Sequence, residues 1–297
     1  MRSEHTGSTA RSRGVEIRRL PVSRRLAIGA ERAGRHRAAM SYLMTADITV
    51  ARRLMAMAPE TLSLPAFITA SVARAAADSP EVHAYRDWRG RMVVHRHVDV
   101  MVPVLARTEQ APHALPHLVP HVVRDADRHN VAQISAELLA AENFPTTDGI
   151  FDRVPGLTRI PGLVRAVYTV QDRSIRLRQR IGTVMVTTTG LSDTGETFSL
   201  AAPTLMPLHV VIGSVNGCPH QSGSLVEQHE ILNLTLTFDH DVVDGAQVSA
   251  FAARLCSAIE HAEALLPFRL RKPLRAAEPA AKAQVVSSNG FYAQQAR

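Results

Sequence analysis

An apolar, β-prone run ends in a cluster of groups that can move protons: Leu234-Thr235-Leu236-Thr237-Phe238-Asp239-His240-Asp241-Val242-Val243-Asp244-Gly245-Ala246. His240 stands where the strand gives way to a loop, and loops carried on a rigid scaffold are where catalytic side chains concentrate. An unperturbed imidazole titrates near pH 6.5, so both protonation states are accessible at neutral pH, which suits general acid–base work. Asp244 follows four residues later and Gly245 supplies the turn into a helix. On residue type and spacing alone, H-x-x-x-D-G admits three readings. The first is a proton-transfer site, and the second is a histidine buttressing a turn with Asp244 as helix N-cap. The third is a metal site, for which two ligands lack a third partner nearby.

The elements that must position this segment alternate along the chain. Periodicity predicts helices over Leu26–Met40, Leu62–Ala77, Val131–Asn143 and Ala246–Leu265. It predicts strands over Tyr42–Val50, Val93–Leu105 with a turn at Pro103, Thr183–Thr189, Leu208–Val215 and Ile231–Phe238. Strands and helices mixed throughout, without a linker-like break or internal repeat, favour one α/β domain. Residues 1–20 lack hydrophobic period and read as a flexible basic arm, and residues 268–297, rich in Ala, Pro, Gln and Ser, as a flexible tail.

Composition excludes several classes. No apolar run reaches the roughly 18–20 residues of a membrane span, and Leu205–Val215 is interrupted by Pro207 and His209. The Arg-rich start has no apolar stretch ahead of a cleavage pattern, so no secretory signal is expected and the default compartment is the cytoplasm. Cys218 and Cys256 are far apart, which argues against a disulfide framework or a thiolate metal site. The net charge is +7, with Lys only at Lys272 and Lys282. A basic surface suits nucleic acid or an anionic ligand such as the phosphates of coenzyme A, but no nucleic-acid motif accompanies the charge, and a solvated Arg-biased surface accounts for it.

Other histidines carry less. Pro112-His113, Pro116-His117 and Pro120-His121 repeat every four residues, but the prolines forbid the helix that would stack the rings, leaving turn and strand. His95 and His97 share one face of a presumed strand.

The segment Asp239–Ala246 resembles the D-H-R-x-x-D-G-A signature of the dihydrolipoyl acyltransferases of 2-oxo acid dehydrogenase complexes, whose H-x-x-x-D-G core is shared with chloramphenicol acetyltransferase. His97-Val98-Asp99-Val100 and Val119–Asp127 resemble the family's H-V-D-I and V-P-V-I-R-D-A-D segments. Val131–Leu138 resembles its L-x-x-I-S-x-E-I helix, and Val186–Leu191 its F-T-I-S-N-L-G run. The order and spacing hold from about Pro21 to Leu266, which makes 21–267 the expected acyltransferase catalytic domain.

The resemblance implies a chloramphenicol acetyltransferase-like α/β sandwich, a mixed sheet flanked by helices. It implies a coenzyme A-dependent acyltransferase with His240 as general base and Thr189, in place of the family's Ser, as oxyanion donor, with Thr187 as the fallback. By the same resemblance Asp244 holds the loop through an ion pair with Arg25, or with Arg24, from the Ser23-Arg24-Arg25-Leu26-Ala27-Ile28 segment. Assembly as a homotrimer or a larger trimer-based particle is implied, with no metal. No lysine precedes Lys272 and nothing of a module's size precedes Pro21. The lipoyl group is therefore expected on a separate lipoyl-carrying protein, alongside 2-oxo acid dehydrogenase subunits. The rival readings are an acyltransferase with a small-molecule acceptor and a weakly catalytic trimeric assembly protein. Asp241 stands where the family prefers Arg, and a carboxylate beside the base would favour the protonated imidazole.

Overall fold

Leu64–Asp78 (α3) is apolar on nearly every side, as befits a helix buried all round. Ser63 caps it by accepting the Ala66 N–H, and Pro65 sits in its first turn, where a missing N–H costs nothing. This computed structural model describes residues 20, 22–106, 117–144, 160, 162–188, 195–202, 204–222 and 225–266. All but Leu20 of the arm expected over 1–20 lies outside the described residues, as does the tail expected over 268–297.

Beside α3 pack α4 (Val131–Asn143) and α7 (Gly245–Glu260), each opened by a capping box, Asn130 with Gln133 and Asp244 with Gln247. These three helices cover one face of a six-stranded sheet. Its strands are β1 (Ala39–Asp47), β4 (Val100–Ala106), β5 (His117–Val123), β6 (Val184–Thr188), β7 (Leu208–Ser222) and β8 (Leu225–Asp239), in the spatial order β1-β8-β7-β6-β4-β5. The pairs β7/β6 and β6/β4 are parallel and the others antiparallel. The sheet is mixed and flanked by helices, the α/β class expected from the sequence.

Period-2 alternation sorts the strands. Val184 and Val186 of β6, with Leu208, Val210 and Ile212 of β7, point into the core against Phe67, Ile134 and Phe251. Thr187 and His209 take the opposite face. A second layer, α1 (Val22–Gly34) against α5 (Leu163–Arg173), meets closely because Gly29 leaves room for Val164; a Cβ there would lie 2.3 Å from Val164 Cγ1. The short helix α6 (Ile175–Arg178) follows α5, and β2 (Tyr85–Arg86) pairs with β3 (Met92–Val93) as a separate hairpin. Among the described residues no helix is long and apolar enough to cross a membrane.

Several boundaries differ from expectation. The first helix ends at Gly34, not Met40, and β1 runs Ala39–Asp47. The stretch expected to continue that strand through Val50 turns into α2 (Thr49–Met57), because Asp47 Oδ1 accepts the Thr49 N–H at 2.8 Å. Pro103 does not break β4. It lies opposite Pro120 at a level where β6 no longer pairs, so its missing N–H deprives no neighbour. The Pro-His repeat lies partly in β5, whose His121 reaches Glu137 at 2.8 Å, and partly outside the described residues.

Candidate active site

The His240 turn is held from three directions. The Asp239 N–H donates to Pro207 O at 3.1 Å, the His240 N–H to Ala38 O at 2.7 Å, and the Val242 N–H back to Asp239 O at 2.9 Å. Val243 is buried in the core and Asp244 begins α7. The imidazole of His240 is exposed and makes no hydrogen bond or ion pair among the described residues. A fixed backbone with a free ring is the arrangement a general base needs.

Beneath the turn lies a buried ionic network. Arg37 donates to Asp239 Oδ2 at 2.6 Å and to Asp172 Oδ1 at 2.5 Å, and Arg178 donates to Asp172 Oδ1 at 2.6 Å. Arg178 is wholly buried, with its guanidinium 5.0 Å from the centre of the Tyr85 ring. Burial, then the neighbouring Arg37, push its pKa down to about 10. The network joins the α1–β1 connection, α5, α6 and the end of β8, and so fixes the residue immediately before His240.

Two expectations need correcting. Asp244 does not pair with Arg25 or Arg24 among the described residues. Its carboxylate accepts the N–H groups of Ala246 at 3.0 Å and Gln247 at 3.2 Å, while Arg25 lies in α1 with its Nε buried and unpartnered. The N-terminal arginine that meets the motif is Arg37, and its partner there is Asp239. Sequence reasoning missed it because the pairing spans 202 positions; the available signal was the basic Arg35-His36-Arg37 run directly before a strand. The second correction concerns Asp241, whose carboxylate pairs with Arg86 of β2, so its charge is met by a guanidinium.

Thr189, the expected oxyanion donor, lies outside the described residues. Thr187 Oγ1 is 2.9 Å from His209 Nε2. Within one chain Thr187 and Thr188 are far from His240. Val184 at the start of β6 is level with Leu208 and Phe238, whereas Thr188 at its end is level with Ile212 and Leu234. From Leu234 to Phe238 is four residues, roughly 13 Å along the strand, and His240 lies further on in that direction.

The H-V-D-V and V-P-H-V-V-R-D-A-D segments meet in space. Asp99 accepts the Asp125 N–H at 2.9 Å and an Arg124 N–H at 2.7 Å, and the Ala126 N–H donates to Val98 O at 2.9 Å. Their role here is to hold a turn in which Asp125 adopts φ 44°. His95 stacks on Tyr85 and meets His97 edge-on, and burial lowers its pKa. Burial brings His83, which contacts Thr183 Oγ1 at 2.7 Å, down to about 4. Among the described residues no three His, Cys, Asp or Glu side chains are placed to hold a metal ion.

The last three strands of the sheet, the His240 turn and the helix that follows it lie in the segment that a family model matches. Residues 170–267 match the family model of the 2-oxoacid dehydrogenases acyltransferase (catalytic domain). That segment holds Asp172, Arg178, β6–β8, His240 and α7. No curated protein matches the sequence. Among solved structures, a probable dihydrolipoamide acetyltransferase from Listeria monocytogenes 4b F2365 is similar over 84% of this chain and 95% of its own, at 16% identity and TM-score 0.58. The cubic core of a pyruvate dehydrogenase multienzyme complex is similar over 87% and 98%, at 17% identity and TM-score 0.60. The dihydrolipoamide acetyltransferase of Azotobacter vinelandii covers the same shares, at 18% identity and TM-score 0.59. At such identities the likeness is one of fold. The acyltransferase resemblance read from the motifs is thus met by the family model over residues 170–267, and the expected fold by the solved structures over most of the chain.

Proposed function

We propose that this chain is an acyltransferase moving an acyl group between coenzyme A and the thiol of a dihydrolipoyl group carried on a separate protein. His240 is the general base, and a threonine hydroxyl from β6 or just beyond it, Thr189 first, is the oxyanion donor. The observation that carries the reading is the free, exposed imidazole on a turn fixed by Ala38, Pro207 and the Arg37–Asp239 pair.

The chemistry balances with no group beyond the two substrates. The acceptor thiol, mostly protonated near neutral pH, gives its proton to the neutral imidazole, and its sulfur attacks the thioester carbonyl. Negative charge collects on the carbonyl oxygen, where one fixed hydroxyl contributes about 2–4 kcal/mol. Collapse expels the other sulfur as thiolate, which takes the proton back from the imidazolium. Coenzyme A is a substrate here, consumed or released.

Because His240 and the β6 threonines lie at opposite ends of one sheet, the reading requires the hydroxyl to come from a second copy in a trimer. The test mixes trimers from two variants expected to be inactive alone, His240→Ala and Thr189→Ala. Random mixing in equal amounts returns about one quarter of wild-type activity, since one neighbour order in four restores both groups to a site. No recovery from mixtures shown to contain both chains would overturn the shared site. If free dihydrolipoamide proves inert while another thiol or alcohol is acylated, the acceptor assignment falls and the acyl transfer stands.

A further inference from the structure

We infer that His209 is a positioning residue that holds the Thr187 hydroxyl with its proton free to donate to the reacting carbonyl oxygen, an inference that rests on the acyl-transfer reading and deepens it. His209 lies on the sheet face turned away from α3, α4 and α7, and only 6% of its surface is exposed. Its Nε2 contacts Thr187 Oγ1 at 2.9 Å, and its Nδ1 is buried with no partner among the described residues. Thr187 is half-buried and not sealed in the core.

The two tautomers of a neutral ring differ in consequence. With the proton on Nδ1, a buried N–H has no acceptor, an arrangement folded proteins rarely tolerate, and the Thr187 proton is spent on Nε2. With the proton on Nε2, the ring donates to Thr187 Oγ1 and only a bare nitrogen lone pair is left unmet. The second is the less costly. It fixes the threonine oxygen from one side and turns its own proton outward, where a developing oxyanion needs a donor. Burial keeps the ring neutral, with its pKa down to about 4, so the donor persists across the neutral range.

The row continues the polar character of this face. His209 is level with Thr237 of β8, and Thr237 with Ser41 of β1. Thr187 stands two residues before Thr189 in the sequence.

The test combines a tautomer measurement with kinetics. Nitrogen spectra of histidine-labelled protein, with the His209 signals identified by their loss in His209→Gln, should show a protonated Nε2 and a bare Nδ1. A protonated Nδ1 overturns the inference. In acyl transfer, Thr187→Val should lower kcat about 10²-fold with KM unchanged. His209→Leu should lower kcat about tenfold, and His209→Gln, whose amide N–H can replace the Nε2 donor, should keep it within about threefold. In the Thr187→Val background His209→Leu should add nothing, and losses that multiply instead would show the two residues to be independent. Thermal unfolding of each variant separates collapse of the fold from loss of the donor. If the wild-type protein transfers no acyl group, the proposed function fails on its own, and the nitrogen spectrum still decides how His209 and Thr187 are joined.

Discussion

Replacing Arg37 by Met should destabilise the protein by about 4 kcal/mol, within the roughly 3–5 kcal/mol typical of breaking a buried ion pair from one side. The magnitude follows from what is left behind. Arg37 and its carboxylate partners have side chains only 7%, 1% and 6% exposed, for Arg37, Asp172 and Asp239 respectively. Asp172 keeps Arg178 at 2.6 Å and His36 at 3.3 Å. Among the described residues Asp239 keeps only the Asp241 N–H at 3.3 Å, so the uncompensated charge is at Asp239. The double variant Arg37→Met/Asp239→Asn removes that charge and should recover about half of the loss. Urea unfolding followed by circular dichroism, at one fixed protein concentration so that any self-association contributes equally, gives both numbers. At about 2–4 °C per kcal/mol for a domain of this size, the single variant should melt roughly 8–16 °C lower. A loss below about 1 kcal/mol, or a double variant less stable than the single one, would refute the reasoning.

Stability should also fall on acidification through two buried histidines. His83 and His209 have folded-state pKa values of about 4, below the unfolded value of 6.5. The unfolded chain therefore binds more protons between those limits, and stability present above pH 6.5 is lost as pH falls toward 4, by about 3 kcal/mol per histidine. Unfolding at several pH values should show that slope, flattened in His83→Gln and in His209→Gln. Titration with a thiol reagent at pH 8 should label Cys218, which is exposed, quickly and Cys256 slowly, because burial and then Glu260 push the Cys256 thiol up to about 12; fast labelling that persists in Cys218→Ser would contradict this. Gly182→Ala should cost at least about 2 kcal/mol in urea, since the residue sits at φ +79° and a Cβ would lie 2.4 Å from Asp99 O. Asp244→Ala should cost about 1 kcal/mol, the value of a helix cap, and a much larger loss would point to an ion pair that the geometry lacks.

Elements with both an apolar period and a terminal signal were legible. The helix α4 matches its expected bounds, because Asn130 and Gln133 cap a run of apolar residues at helical spacing. Around Ile48 the legible cue misled: apolar residues alternate there, yet the local bond from Thr49 to Asp47 turns the chain into a helix. The extra length of β7 and β8 was invisible, since their outer parts, Gly217–Ser222 and Leu225–Glu230, pair with each other beyond the core and carry no burial pattern. His240 could be picked out because its type, its place after a strand and the capped helix behind it are all local. The Arg37–Asp172–Arg178 network could not, because it joins four separate parts of the chain and no local rule chooses among the arginines. The distance between His240 and the threonines of β6 likewise emerges only from strand order and direction.

The measurement that bears most directly on the account is the rate of acyl transfer from acetyl-coenzyme A to dihydrolipoamide by the purified protein and by His240→Ala, with folding of the variant checked by melting. Loss of the base should lower kcat by about 10²–10⁴-fold while the melting temperature holds. A folded His240→Ala protein that transfers the acyl group at the wild-type rate would remove His240 from the chemistry.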